Sequence, residues 1–157
     1  MNNFVYHSPT EVIFGKGTEN ETAGLIKKYG GSRVFIVYGG GSIVKSGLLA
    51  KIREQLESAG LAAYEFGGAK PNPLLSHARE GVKKALEFNA DFILAIGGGS
   101  SIDTAKAIAH GAAAPDTDIW EFWMKEKSVE KTTPIGVILT IAAAGSETSN
   151  SAVLTNP

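Results

Sequence analysis

The apolar run 93–96 ends at three consecutive glycines, residues 97–99, and is followed by a helix-like pattern over residues 104–109. Four consecutive apolar residues bounded by turn residues predict a strand that is buried on both faces. The spacing of Ala, Lys and Ile after Ser101 predicts a helix that packs back on that strand. The segment is therefore predicted to be a strand, a tight loop and a helix.

The junction 97–101 has the composition of a phosphate-binding loop. Glycines let backbone N–H groups approach an anion closely, and the unpaired amides and the dipole at a helix start attract negative charge. However, Ser100-x-x-Asp103 also fits a capping box with Asp in place of Glu or Gln, which would start the helix without any ligand. The run does not match the G-x-G-x-x-G dinucleotide pattern. Both interpretations stay open at this point.

Composition excludes several classes of protein. The chain has 157 residues, 43% hydrophobic and 20% charged, which is typical of one soluble globular domain. A net charge of −1 without any Lys/Arg cluster argues against nucleic-acid and membrane partners. The absence of cysteine excludes disulfides and thiolate metal sites. With no signal-peptide pattern and no apolar run near the roughly 20 residues that span a bilayer, we expect a cytoplasmic protein.

Strand-like and helix-like patterns alternate along the rest of the chain. This alternation predicts right-handed βαβ units and a mainly parallel sheet flanked by helices on both faces. Two β-prone runs, 4–7 and 11–14, predict an N-terminal β-hairpin before the first helix. Strands are predicted at 33–38, 62–66, 92–96 and 135–140, and helices at 18–29, 48–60, 75–88 and after residue 101.

Glycine-rich or small-residue segments follow each predicted strand of the sheet. They are residues 39–42, 67–73, 97–101 and 140–147. Because the carboxyl ends of parallel strands meet at one edge, these four segments should gather where the ligands of such sheets bind. The first and third share the sequence Gly-Gly-Gly-Ser, and a dinucleotide has several phosphates to hold. The pattern therefore indicates a nucleotide site at this edge.

Three motifs in order resemble the amino-terminal half of the iron-containing (group III) alcohol dehydrogenases, most closely their butanol dehydrogenase-like branch. They are Pro71-Asn72-Pro73, Gly97-Gly98-Gly99-Ser100-x-x-Asp103-x-x-Lys106 and Thr140-x-Ala142-x-x-Gly145-Ser146-Glu147, preceded by Phe14-Gly15-x-Gly17. The resemblance covers essentially the whole chain. One departure is that many members have Pro-Thr-Thr-Ala-Gly-Thr where this chain has Leu-Thr-Ile-Ala-Ala-Ala, at residues 139–144.

The resemblance implies a modified Rossmann-type domain over residues 1–157 that binds a nicotinamide dinucleotide. In the family this domain is joined to a helical domain, absent from this chain, that supplies the Fe or Zn ligands and most of the pocket for a small alcohol or aldehyde. The implied reaction is hydride transfer, in a full-length enzyme expected to be a homodimer. The alternatives are a relative of glycerol dehydrogenase or dehydroquinate synthase, or a non-catalytic nucleotide-binding module.

The resemblance also implies roles for individual residues. The pyrophosphate would be held through backbone and hydroxyl groups by Gly98, Gly99, Ser100 and Ser101. Asn72 and Thr140 would contact the adenosine side. Asp103 would orient the loop or reach toward the nicotinamide, and Ser146 would line the mouth toward the absent domain. No catalytic residue or metal ligand is expected here, since the histidines at 7, 77 and 110 match no metal spacing.

The first glycine segment predicts which cofactor is bound. In dinucleotide folds an acidic residue after an early strand bonds the ribose 2′-OH and repels a 2′-phosphate. Family members that use NAD tend to have Asp where this chain has Gly39. We therefore expect NADP(H) rather than NAD(H), with Lys45 as the candidate charge. The residues expected around the 2′-phosphate are Gly39, Gly40, Gly41 and Ser42.

Overall fold

A computed structural model describes residues 3, 5 and 7–157. Its four strands form one parallel sheet in the order β2-β1-β3-β4. The strands are β1 Arg33–Tyr38, β2 Ala62–Phe66, β3 Phe92–Gly97 and β4 Ile135–Leu139. The helices are α1 Thr22–Lys28, α2 Gly41–Lys45, α3 Leu48–Ser58, α4 Leu75–Glu87, α5 Gly99–Ala113 and α6 Ile119–Trp123, and a 3₁₀ turn, Thr18–Glu21, precedes α1. This architecture confirms the predicted α/β Rossmann-like fold.

The two central strands, β1 and β3, are buried because helices cover both faces of the sheet. Val34 and Ile36 of β1 pack in a cluster with residues of α1, α2 and α3. Phe35 and Val37, on the opposite face, pack with residues of α4 and α5. Every residue of β3 is buried. The continuous apolar runs therefore form strands that are buried on both faces, as the sequence predicts.

The order of the strands creates a crevice between β1 and β3. From β1 the chain moves to the edge strand β2, and it then crosses back past β1 to form β3. The helices that follow β1 and β3 consequently lie on opposite faces of the sheet. Ligands of open parallel sheets bind at such a switch point, beyond the carboxyl ends of the strands. The loops 39–42 and 97–101 flank it.

The prediction of an N-terminal hairpin is wrong for its second strand, residues 11–14. Residues 11–14 form no strand, and the side chains of Val12 and Phe14 are 65% and 99% exposed. Phe4 and Tyr6, in the other predicted arm, lie outside the described residues. The Glu11 carboxylate instead accepts hydrogen bonds from Lys28 Nζ and Tyr29 Oη at the end of α1. A β-prone run needs a pairing partner before it becomes a strand.

A capping box that the sequence reading missed begins α6. Asp118 Oδ1 accepts from the Trp120 N–H at 2.9 Å, and Glu121 Oε1 accepts from the Asp118 N–H at 3.1 Å. Arg79 of α4 donates to both oxygens of Asp118, each at 2.8 Å. Asp118 thus joins α6 to α4.

None of the helices that the structure describes is long and apolar enough to cross a membrane.

Replacing Asp118 by alanine should lower the free energy of unfolding by about 1–2 kcal/mol, because an N-cap is lost. The Arg79 pair adds little, since both side chains are partly exposed. The hydrogen bond from Arg79 lowers the pKa of Asp118 in the folded protein. The ionised carboxylate therefore stabilises the fold above the usual carboxyl pKa, and this contribution is lost as pH falls through the lowered pKa of the folded state. Urea unfolding at neutral and acidic pH measures both effects. If Asp118→Ala unfolded at the same urea concentration as wild type, the assignment of Asp118 as a stabilising N-cap would be contradicted.

Candidate functional site at the carboxyl edge of the sheet

Hydrogen bonds join the four predicted loops in two pairs at the carboxyl edge. The Gly68 N–H donates to the Gly39 carbonyl and the Ala69 N–H to the Tyr38 carbonyl, both at 3.1 Å. On the other side, the Thr140 N–H donates to the Gly97 carbonyl at 3.1 Å. The loops after β2 and β4 are therefore fastened to the loops after β1 and β3. The structure brings the four segments together as the sequence predicts.

The two Gly-Gly-Gly-Ser segments start their helices in the same way. Gly40 has φ −91° and ψ −164°, and Gly98 has φ −98° and ψ −167°. Each is the N-cap of the helix that begins at the next glycine, and neither helix has a side-chain cap. The first amides of a helix have no partner within it. Two sets of N–H groups are thus available for an anion, although α2 has only five residues and α5 has 15.

The capping-box interpretation of Ser100-x-x-Asp103 is wrong. Because α5 begins at Gly99, Ser100 is its second residue and Asp103 its fifth, so neither stands at the N-cap or third position that a capping box requires. Ser101 is buried, and its hydroxyl lies beside the backbone of Gly97 and Gly39. No hydrogen bond from the side chains of Ser100 or Ser101 reaches any part of the chain that the structure describes. The Ser101 N–H donates to the Gly98 carbonyl at 3.0 Å, so the groups of the loop left without such a bond are the two hydroxyls and the amides of Gly99 and Ser100.

The glycines of the loop 97–101 differ in whether the fold would accept a side chain at their position. Gly97 has φ +147°, and a Cβ there would lie 2.6 Å from Ser101 Oγ. A side chain at position 97 would therefore strain the loop. At Gly99, by contrast, a Cβ would meet nothing within 4 Å. The fold therefore requires glycine at position 97, whereas position 99 has open space around it.

The segment that begins with the first loop, residues 39–45, contains one lysine and no carboxylate. A Cβ built on Gly41 would lie 3.8 Å from Lys45 Cε, so the side chain of Lys45 folds back on this loop. The neighbouring loop 67–73 contributes Lys70, and neither loop contains a carboxylate. Gly40, Gly41 and Ser42 are exposed at the edge. This surface suits a negatively charged group.

Asn72 and Thr140 lie on the two outer loops of the edge. Asn72 is exposed and has φ +54°, a left-handed geometry that Asn tolerates, rather than the extended geometry that a following proline favours. Thr140 is exposed beside Gly97, to whose carbonyl its N–H donates. The structure therefore places these residues on opposite sides of the crevice. Their predicted contacts with adenosine remain predictions.

Asp103 and Ser146 contact one another. Asp103 is 8% exposed and Ser146 is 7% exposed, and the Ser146 hydroxyl donates to Asp103 Oδ1. Asp103 Oδ2 accepts from the Val153 N–H at 3.0 Å. Lys106, the last residue of the same sequence motif, donates from its Nζ to the backbone of Ser146 and Ser149. Its spacing of three residues from Asp103 is the signal that places both on one helix face. Cofactor contacts of Asp103 and Ser146 remain predictions.

The described residues contain no group of three or more His, Asp or Glu side chains that could hold a metal ion. His77 stacks on Phe66 with 4.5 Å between ring centres, and His110 Nδ1 lies 3.0 Å from Thr132 Oγ1. Burial lowers the pKa of both imidazoles. Both histidines serve packing within this domain. The residues described here do not fit a metal centre.

A parallel sheet with glycine-rich loops at its switch point defines this chain as an α/β domain of the Rossmann-like class. The chain belongs to the iron-containing alcohol dehydrogenase family, whose sequence model matches residues 9–157.

Relatives of known sequence and structure support the assignment. A probable NADH-dependent butanol dehydrogenase 1 of Bacillus subtilis is 46% identical over 99% of this chain and 40% of its own length. The NADPH-dependent aldehyde reductase YqhD of Escherichia coli is 40% identical over 98% and 39%. A crystal structure of NADH-dependent butanol dehydrogenase A from Thermotoga maritima superposes with a TM-score of 0.96 at 42% identity, covering 99% and 39%. The chain thus spans about two fifths of these relatives.

Proposed function

We propose that this chain is the cofactor-binding part of an NADP(H)-dependent alcohol dehydrogenase or aldehyde reductase of the butanol dehydrogenase-like type. One observation carries the proposal: two helices without side-chain caps begin at glycine loops on either side of the switch point. A dinucleotide has separate phosphates that two such helix starts can hold. The named relatives are alcohol dehydrogenases and an aldehyde reductase, which favours this activity over glycerol dehydrogenase or dehydroquinate synthase.

The loop after β3 is proposed to hold the pyrophosphate. The first amides of α5 have no partner within the helix, and a Cβ on Gly99 would meet nothing within 4 Å. The hydroxyls of Ser100 and Ser101 are available as further donors, and the 15-residue helix adds its positive end. These groups bind and orient the cofactor. They do not transfer protons or electrons.

The loop after β1 is proposed to select NADP(H). Lys45, at the end of α2, and Lys70, in the loop 67–73, supply positive charge, and residues 39–42 and 67–73 contain no carboxylate that would repel a 2′-phosphate. Relatives of this chain are named both NADH-dependent and NADPH-dependent, so the preference differs within the family. The charge of the two loops favours NADPH here.

Hydride transfer to or from a small alcohol or aldehyde is the chemistry that the nicotinamide supplies when bound. The residues described here fit no metal, so we derive no metal-assisted step on this chain. Their part is to hold the dinucleotide at the carboxyl edge of the sheet. We propose that metal and substrate are bound by the rest of a full-length, cytoplasmic, homodimeric enzyme.

The isolated chain should bind NADPH without turning it over. The reason is that the cofactor loops are present, whereas the described residues offer no metal-ligand set. Calorimetric titration with NADPH measures binding. Absorbance at the NADPH band, with butyraldehyde and Fe(II) or Zn(II) added, measures turnover. Sustained oxidation of NADPH would contradict this division of roles, and absence of binding would contradict the proposed function.

A further inference from the structure

Lys106 is held by the segment 146–151 in an arrangement unusual for a helix lysine. Its half-buried ammonium donates to the carbonyl oxygens of Ser146 at 2.7 Å, Ser149 at 2.9 Å and Ser151 at 2.7 Å. Three carbonyls that converge on one point suit an ammonium, which is a compact charge with three donors. Burial lowers the pKa of Lys106, while the charges of Asp103 and Glu147 oppose that shift.

Asp103 fastens the same segment one helical turn nearer the start of α5. Its two oxygens accept from the Ser146 hydroxyl and from the Val153 N–H. Asp103 and Lys106 lie three residues apart on one face of the helix, so both point at the segment. Together they attach residues 146–153 to the helix that begins at the proposed pyrophosphate loop. Side chains on α5 thus replace the pairing that this irregular backbone lacks.

The residues just before this attachment lie over the glycine loop. At one end, the Thr140 N–H is bonded to Gly97, and the Ile141 side chain comes within 3.8 Å of a Cβ built on Gly98. At the other end, Ser146 is bonded to Asp103 and Lys106. Between them lie the residues 142–145, which are Ala, Ala, Ala and Gly. A small-residue loop is therefore held at both ends beside the start of α5.

We infer that Lys106, assisted by Asp103, is a positioning residue that holds loop 141–145 as the wall of the cofactor site on the β4 side. This inference rests on the proposed function. The wall stands beside the pyrophosphate loop and away from the loop after β1, where the 2′-phosphate is proposed to bind. Lys106 should therefore affect the pyrophosphate and nicotinamide half of NADPH. It should not affect the adenosine half, because Thr140, which is predicted to contact adenosine, is held by the Gly97 carbonyl and not by Lys106.

The test compares two ligands on one variant. Lys106→Ala should weaken NADPH binding about tenfold, a free-energy change of about 1.4 kcal/mol. Binding of adenosine 2′-monophosphate, which lacks both phosphates of the pyrophosphate and the nicotinamide, should stay within about twofold of wild type, well below that change. Lys83→Ala is the matched control, because it removes the same charge from a side chain that is 78% exposed on α4. It should leave both affinities unchanged.

Chemical rescue separates positioning from general stability. Lys106→Ala removes three methylene groups and the ammonium, the equivalent of propylammonium. Added propylammonium should restore NADPH affinity in this variant, whereas tetramethylammonium, which has the charge but no N–H donors, should not. If Lys106→Ala does not fold, Lys106→Met, which keeps the unbranched side chain as far as Cε and removes the ammonium, replaces it in the two-ligand comparison.

The two-ligand titration and the rescue experiment together decide whether Lys106 positions the loop 141–145. Selective loss of NADPH affinity, restored by propylammonium, supports the inference. Unchanged NADPH affinity, or equal loss of both ligands, overturns it. If wild type binds neither ligand, the proposed function itself fails, and this inference fails with it.

Discussion

Replacing Gly99 by valine is expected to reduce NADPH affinity by at least about a hundredfold, which corresponds to about 2.7 kcal/mol. A Cβ at this position would meet nothing within 4 Å, so the fold can accept the side chain. The branched side chain would fill the space in front of the free amides of α5, where the pyrophosphate is proposed to lie. Thermal melting should change little, since a β-branched residue in a helix costs only about 0.5 kcal/mol. Calorimetric titration measures the affinity.

Two control variants separate binding from folding. Gly24→Val places the same side chain in open, exposed space on α1, outside the four loops, and should leave affinity unchanged. Gly97→Ala should instead destabilise the domain by about 1–3 kcal/mol, because φ is +147° and Ser101 is too close. If Gly99→Val kept its NADPH affinity within about threefold, far less than a blocked site requires, the loop would serve only to begin a helix.

Replacing Gly39 by aspartate is expected to reverse the cofactor preference. A carboxylate beside a 2′-phosphate costs several kcal/mol, so NADPH affinity should fall by at least about a hundredfold. The same carboxylate can accept hydrogen bonds from the 2′-OH of NADH, whose affinity should rise or remain. Parallel titrations with NADPH and NADH measure the ratio. Wild type should bind NADPH more tightly than NADH, although several relatives are named NADH-dependent.

The matched control is Gly39→Asn, which adds a side chain of the same shape without the charge. A Cβ at Gly39 would lie 3.3 Å from the Ala69 carbonyl oxygen and 3.4 Å from Ser101 Oγ, so either side chain needs a small shift of these neighbours. If charge decides the preference, Asn should weaken NADPH binding far less than Asp. Equal losses would show a steric effect and contradict the role proposed for this loop.

Most of the sheet and the position of the site could be predicted from local sequence. The apolar runs in β1 and β3 have no polar alternation, so each had to be covered on both faces. The glycine segments directly follow the strands, and in a parallel sheet they must meet at one edge. The prediction that Gly98 and Gly99 bind the cofactor rests on this reasoning. These inferences depend only on residues adjacent in the chain.

Local patterns failed where distant contacts decide the structure. Residues 11–14 are β-prone, yet in the structure Glu11 binds the end of α1 instead. Ser100-x-x-Asp103 has the spacing of a capping box, yet α5 begins one residue before Ser100. The capping box at Asp118 has the expected spacing but lies in a segment for which no helix was predicted. A local motif forms only if the surrounding fold places it at a helix start.

The sequence by itself determined the order of the elements, the parallel sheet and the edge where the glycine loops meet, because each follows from hydrophobic pattern and chain order. Only the tertiary structure decided how α4 and α5 pack, where a Cβ on Gly81 would lie 2.3 Å from Ile108 Cδ1. It also decided the partners of Asp103 and Lys106, which lie 40 to 50 residues away along the chain. Such contacts leave no periodic signal, since they depend on how separate elements are brought together in space.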